Sequence, residues 1–437
     1  LSTAFESAFS TGDTISEFTY GVVDTTTDLI RENVNDPEVA VLLDDSFVVV
    51  WEKGGHIYGN RFDQMGASVE GASFRVNKID DTNETGKGNP TIEVLSNGNF
   101  VVAWQGTSNM NFFDKQGLGV YSRVFSLVDN KIVPVSDDRL VNTYTTNHQK
   151  DPSIAAVDCC DDRATDGGFI VSWTSEMEDG DGDGIFAQLF DDGGGSVASA
   201  PCYGSYSCGP PFDNNQINTY TDDSQRNSLV LSRKQATGVV FAWTSTNQYF
   251  WSGSSFVPKI FVQATKNNFD KIGDEFLLEP VSSTFHQGQI AGAELTNGNI
   301  SLAYNVYPND ASLPWEWIMV QTCEVIDADQ CTGFKYLSLE NIYRNNSSNN
   351  FRSGGLYNPK MAALNGGAEC LSGYNSTFAC SRMVVVYESN AVPTGQSYEG
   401  DGDGKGIFAQ YLSSFDSNSY GGLQRWGNEF IVNTSTK

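Results

Sequence analysis

Basic residues are scarce in this chain. Its 437 residues hold 26 Lys and Arg against 54 Asp and Glu, a net charge of −28. A nucleic-acid partner is excluded, because phosphate binding needs the opposite sign; such acidity suits solubility and cation binding. Charged residues of both signs reach only 18%, and the Ala/Glu/Lys/Leu-heavy stretches of long helices are missing. No apolar run of about 18 residues occurs, so the chain is not expected to span a membrane. No charged n-region and apolar h-region follow Leu1, which predicts a mature product with its signal peptide removed. The three histidines, His56, His148 and His286, are isolated and lack metal spacing. A G-x-S-x-G elbow, a P-loop and a dinucleotide fingerprint are all absent.

What the chain has is glycine, 43 residues, and aromatics, 12%. That is the composition of a turn-rich β protein, too long for one ordinary core. Eight cysteines form no zinc-type C-x-x-C pair. Cys202 and Cys208, Cys323 and Cys331, and Cys370 and Cys380 are spaced as staples across hairpins or loops, while Cys159 and Cys160 are adjacent. An even count without metal spacing predicts disulfides and an extracellular or cell-surface setting. Sequons at Asn83, Asn299, Asn345, Asn346, Asn375 and Asn433 agree with a secreted glycoprotein.

The chain repeats itself. "FVVVW" at 47–51 returns as "FVVAW" at 100–104, "FIVSW" at 169–173 and "VVFAW" at 239–243, and more loosely as "ISLAY" at 300–304 and "MVVVY" at 383–387. A short apolar run and a turn precede most copies, and Asn97-Gly98 and Asn297-Gly298 are strong hairpin signals. A third element follows ("IFAQLFD" from Ile185, "IFAQYLS" from Ile407), then a fourth ("RLVNT" from Arg139, "EFIVNT" from Glu429). Four short strands repeated six times predict an all-β fold, a β-propeller of six four-stranded repeats. The units fall at about 37–78, 90–143, 152–219, 228–280, 286–341 and 358–434. Trp51, Trp104, Trp173 and Trp243 share one register and are expected to pack between blades. A repeated polar position in the third strand (Asn60, Arg123, Gln188, Gln263, Gln321, Gln410) is expected to bond backbone groups between blades. Residues 1–36 form an N-terminal arm or partial blade. They supply a seventh blade, an extra edge strand, or a strand donated to a neighbouring molecule.

The phrases that end in "FVVAW", "DGDGDGIFAQLFD" and "EFIVNT" resemble repeats of large secreted bacterial surface proteins that accompany calcium-binding haemolysin-type repeats. They are loosely similar to the integrin-type FG-GAP blade, whose loops carry D-x-D-x-D-G. The resemblance covers residues 37–437, and implies a propeller used for surface, adhesive or structural work. It implies no reaction.

"EDGDGDG" at 178–184 and "EGDGDGKG" at 399–406 are near copies. Asp179, Asp181 and Asp183 in the first, and Glu399, Asp401 and Asp403 in the second, alternate along glycine-rich turns in the manner of calcium ligands. Neither continues as an EF-hand, and calcium is the one cofactor expected.

Glu93 and Glu294, on first-strand ends, are the candidates for a catalytic carboxylate and are read as ordinary polar positions. Taken together, the sequence predicts a non-catalytic, extracellular structural glycoprotein. It would be a building block of a fibre, surface appendage or matrix, partnered by itself or by other extracellular proteins and glycans. The alternative is a lectin-like or adhesive module using long loops, one with Tyr249, Phe250 and Trp251. A polysaccharide-active propeller enzyme is a distant third.

Overall fold

The computed structural model describes residues 34–69, 71–78, 86–107, 117–157, 167–197, 214–233, 238–246, 251–252, 255–256, 258–278, 285–295, 298–308, 317–327, 330–338, 356–364, 380–389, 406–415 and 423–431. Every element among these residues is a strand, and no helix is long and apolar enough to cross a membrane. The fold is an all-β, six-bladed propeller. Each blade is an antiparallel sheet whose strands follow chain order from the inner strand outward.

Blade 1 is built from Val34–Val41, Phe47–Lys53, His56–Phe62 and Phe74–Arg75. Blade 2 uses Gly88–Val94, Phe100–Gly106 and Gly119–Val128. Two short strands, Lys131–Pro134 and Arg139–Leu140, both pair with the last of these. Blade 3 uses Gln149–Val157, Gly168–Glu176, Asp183–Phe190 and Asn215–Gln216. Blade 4 uses Gln225–Ser232, Val239–Ser245, Lys259–Thr265 and Lys271–Leu277. Blade 5 uses Phe285–Glu294, Ile300–Pro308, Trp317–Asp327 and Gln330–Ser338. Blade 6 uses Leu356–Leu364, Cys380–Ser389, Gly406–Phe415 and Leu423–Ile431. Lys131–Pro134 of blade 2 follows a tight hairpin at Asp129-Asn130, where both residues have positive φ (49° and 62°), as a two-residue hairpin turn requires.

Chain contacts divide the protein into two compact units. One is Leu1–Ser232 with Gly238–Phe241 and Ala264–Lys271; the other holds the remainder. In the first unit the inner strands of blades 1 to 4 pack against their neighbours in sequence. The second strands of blades 2, 3 and 4 are buried on both faces while that of blade 1 alternates, and Trp51, Trp104, Trp173 and Trp243 are fully enclosed, as their shared register predicts. Trp104 stacks on Tyr121 of the neighbouring strand at 6.3 Å, and Trp51 on Tyr58 at 6.5 Å. In the second unit Tyr304 and Tyr387 take the same place.

A polar clasp repeats between these layers. The Val120 N–H donates to Asn142 Oδ1 at 2.8 Å, and Asn142 Nδ2 donates to Gln149 Oε1, on the next blade's inner strand, at 3.1 Å. Ile185, Asn218 and Gln225 repeat the arrangement with bonds of 2.8 and 3.1 Å. In the second unit Gln287 accepts directly from the Ile260 N–H at 2.8 Å. The third-strand polar residues are expected to bond between blades, and their bonds are these. Gln188, Gln263, Asn60 and Gln410 bond within their own blades, and Gln321 accepts from the Tyr304 hydroxyl at 2.7 Å. Arg123 crosses between blades, donating to the Val76 carbonyl at 2.8 Å.

Residues 1–33, and with them most of the predicted arm, lie outside the described residues. So do Cys159, Cys160, Cys202, Cys208 and Cys370, and Asn83, Asn345, Asn346, Asn375 and Asn433. Cys323 and Cys331 lie on paired strands but face other positions, Phe334 and Val325; Cys380 lies opposite Phe415. Asn299 is buried at 8% exposure, which disfavours a glycan there.

Candidate functional site

The inner strands share a device that the apolar repeat conceals. Near its start each of five carries a bulge, seen as a register shift at Asn35/Glu38, Gly88/Thr91, Lys150/Ser153, Gln287/Ile290 and Tyr357/Lys360. Asp36, Asn89, Asp151 and Asn358 sit in four of the bulges with φ of 51°, 48°, 54° and 48°, and Asn227 holds the matching place in blade 4 at 58°. Asn and Asp enter this left-handed region more readily than other side chains. Non-glycine residues held there cluster at working sites. Four of the five are signalled in sequence by an Asx-Pro dipeptide: Asp36-Pro37, Asn89-Pro90, Asp151-Pro152 and Asn358-Pro359.

In the first unit these bulges interlock. Asn89 Nδ2 donates to Asp151 Oδ1 at 2.9 Å, and the Asp151 N–H donates to Gln105 Oε1 at 2.9 Å. Blade 2 therefore fixes both the carboxyl and the backbone of the blade 3 bulge. Burial pushes the Asp151 carboxyl above its ordinary value; Lys150, the Asn89 bond and Arg226 oppose the shift, while Asp183 adds to it.

Beside Asp151 lies an ionic trio. Asp183, at the head of the third strand of blade 3, is 2% exposed. Lys150 Nζ approaches its Oδ1 at 3.4 Å, and Arg226 Nε donates to its Oδ2. Lys150 and Arg226 each precede a bulge-position residue, so successive inner strands clamp one buried carboxylate from two sides. A buried charge needs such pairing to be tolerated.

The loop 177–182 leads into Asp183 on the same edge of the blade. Its acids are not gathered on one point. Asp179 Oδ2 accepts from Asn218 Nδ2 at 3.2 Å, Asp181 Oδ2 from the Asp223 N–H at 3.2 Å, and Glu178 Oε1 from Asn214 Nδ2 at 2.6 Å. Burial raises both Glu178 and Asp179 above their ordinary values. Among the described residues no three His, Cys, Asp or Glu side chains are grouped to hold a metal ion. Glu399, Asp401 and Asp403 lie outside the described residues.

The other sequence candidates sit elsewhere. Glu93 and Glu294 lie opposite Val101 and Ile300, toward the strand ends remote from the bulges. His148 Nδ1 accepts from the Leu118 N–H at 3.1 Å, His56 meets Arg75, and His286 stacks on Tyr307 at 4.8 Å. Trp251 opens a two-residue strand, while Tyr249 and Phe250 lie outside the described residues.

No family model matches the chain, and no curated protein does. Among solved structures it is similar to the GH93 α-L-arabinofuranosidase of Fusarium graminearum with arabinobiose. Identity there is 10%, 86% of this chain and 92% of that one are covered, and the TM-score is 0.46. It is similar to the α-L-arabinanase of Penicillium chrysogenum complexed with arabinobiose (11% identity, 85% and 93% covered, TM-score 0.44). It is also similar to an exo-1,5-α-L-arabinanase from a bovine ruminal metagenomic library (11% identity, 70% and 96% covered, TM-score 0.39). At such identities the likeness speaks to fold alone. Against the expected non-catalytic structural glycoprotein, the expected absence of enzymatic activity and the filament or adhesion role stands what was found among solved structures. The three named are an arabinofuranosidase and two arabinanases rather than surface-repeat proteins.

Proposed function

We propose that the chain is a polysaccharide-active propeller enzyme that cleaves glycosidic bonds, with Asp151 as the proton donor to the leaving oxygen. One observation carries this reading. A carboxyl is held at a strained inner-strand bulge, accepting one hydrogen bond from Asn89 of blade 2 while its own backbone N–H donates to Gln105, and burial pushes it toward its neutral form. A glycosidic oxygen is a poor leaving group until protonated, and a carboxylic acid with an elevated pKa supplies that proton. In the adjacent trio Asp183 is paired with Lys150 and Arg226. Lys150 and Arg226 oppose the upward shift of Asp151 without reversing it.

The test is reducing-end release from a panel of neutral polysaccharides at mildly acidic pH, for the full chain and for Asp151→Asn. Release by the wild type that the variant loses supports the reading. Release that survives in the variant removes Asp151 from the role, and a wild type inert on the whole panel removes the activity.

A further inference from the structure

We propose a second binding site, on the flank between blades 1 and 2, for a small aromatic carboxylate. A cavity of about 280 Å³ opens there between the outer parts of the two sheets. Phe74, Phe125, Ile132 and Pro134 form its apolar wall, and Arg75, Lys78 and Arg123 its cationic edge. Phe74 and Phe125 are tilted at 60° with centroids 5.6 Å apart, and the Arg123 guanidinium lies 5.4 Å over the Phe125 ring. Three converging cations are conspicuous in a chain of net charge −28.

The charge is only partly balanced. Asp138 lies 3.6 Å from Arg123 Nη1 and accepts from the Lys78 N–H at 2.8 Å. Asp137, mostly exposed, lies 3.5 Å from Lys78 Nζ. Arg75 is different. Among the described residues its Nη2 donates to His56 Nδ1 at 2.8 Å, and its Nε is buried without a hydrogen-bond partner. The Arg75 guanidinium lines the cavity, and a carboxylate oxygen is a natural acceptor for its outer N–H groups. The phenyl rings beside it favour a flat ring behind that carboxylate. A single-ring acid is of a size for the cavity.

This site is not part of the packing repeat. Arg123 stands where blades 3 to 6 carry Gln188, Gln263, Gln321 and Gln410. It also belongs to outer strands, whereas Asp151 is on an inner one, so it does not depend on the proposed reaction.

Calorimetric titration of the full chain with benzoate tests it. Benzamide serves as the neutral isostere, and inorganic phosphate as an anion without a ring. Benzoate should saturate one site, and both controls should bind at least about tenfold more weakly. Arg75→Met should weaken benzoate by about tenfold or more. Arg123→Gln, which installs the residue of the other blades, should weaken it while leaving the circular dichroism spectrum unchanged. No saturable benzoate signal, equal affinity for either control, or unchanged binding in both variants overturns the proposal. Should Arg75→Met fail to fold, Arg123→Gln and the benzamide comparison decide it.

Discussion

Asn89 and Asp151 are neighbours only because two blades meet. The amide of one bulge donates to the carboxyl of the next at 2.9 Å, and both residues hold positive φ. The strain is thus tied to contact between blades, and the carboxyl so fixed is one that burial pushes toward its neutral form.

The buried carboxylate beside it should matter to stability more than to any metal. Asp183→Asn removes the negative partner of Lys150 and Arg226. Lys150 and Arg226 are both partly exposed (28% and 51%), so water screens part of the loss. The expected destabilisation is about 1–3 kcal/mol, below that of a fully enclosed pair. Urea unfolding of the variant measures it, and a change within about 0.5 kcal/mol, as at an ordinary surface site, would deny the trio a structural role.

The clasp makes a second prediction. Asn142→Ala strips the Val120 N–H of its acceptor and Gln149 Oε1 of its donor, both buried. The cost expected is about 1–3 kcal/mol. Asn97→Ala, at an exposed turn where the side chain meets Asp192, should cost under about 1 kcal/mol. Paired thermal-unfolding curves separate the two.

Stability should also depend on pH in a stated direction. Asp138, Asp151, Glu178 and Asp179 are all raised above their ordinary values, in each case by burial first. Through that window the folded chain binds more protons than the unfolded one. Their contribution is therefore present below the ordinary carboxylate range and is lost as pH rises through the raised values. Asp44 is shifted the other way: burial raises it, and bonds from Ser46 with the charge of Arg61 more than offset that. Its contribution is lost as pH falls. Denaturant midpoints across the acidic range should fall with rising pH, and the slope should flatten in Glu178→Gln and Asp179→Asn.

The blades were legible because packing repeats itself in sequence. Trp51, Trp104, Trp173 and Trp243 mark one register, and each is enclosed as that register implies. The extra strand of blade 2 was written at Asp129-Asn130 but carried no apolar phrase to announce it. The site was harder to read. The acidic phrase at 178–184 suggested a cation, yet Asp183 is answered by Lys150 and Arg226 from two other strands, a relationship that spacing does not reveal. The Asx-Pro dipeptides were visible in four units. They lay at the edges of the units, where comparison of apolar cores gave them no weight. Glu93 and Glu294 drew attention to the opposite ends of the same strands.

The most direct test of the central claim is the response of Asp151→Asn to the leaving group. A variant without its proton donor should lose hydrolysis of a natural polysaccharide by about 10²–10⁴-fold. It should keep near-wild-type hydrolysis of an aryl glycoside whose phenolate departs without protonation. Equal loss on both substrates, or no loss on either, would contradict the account.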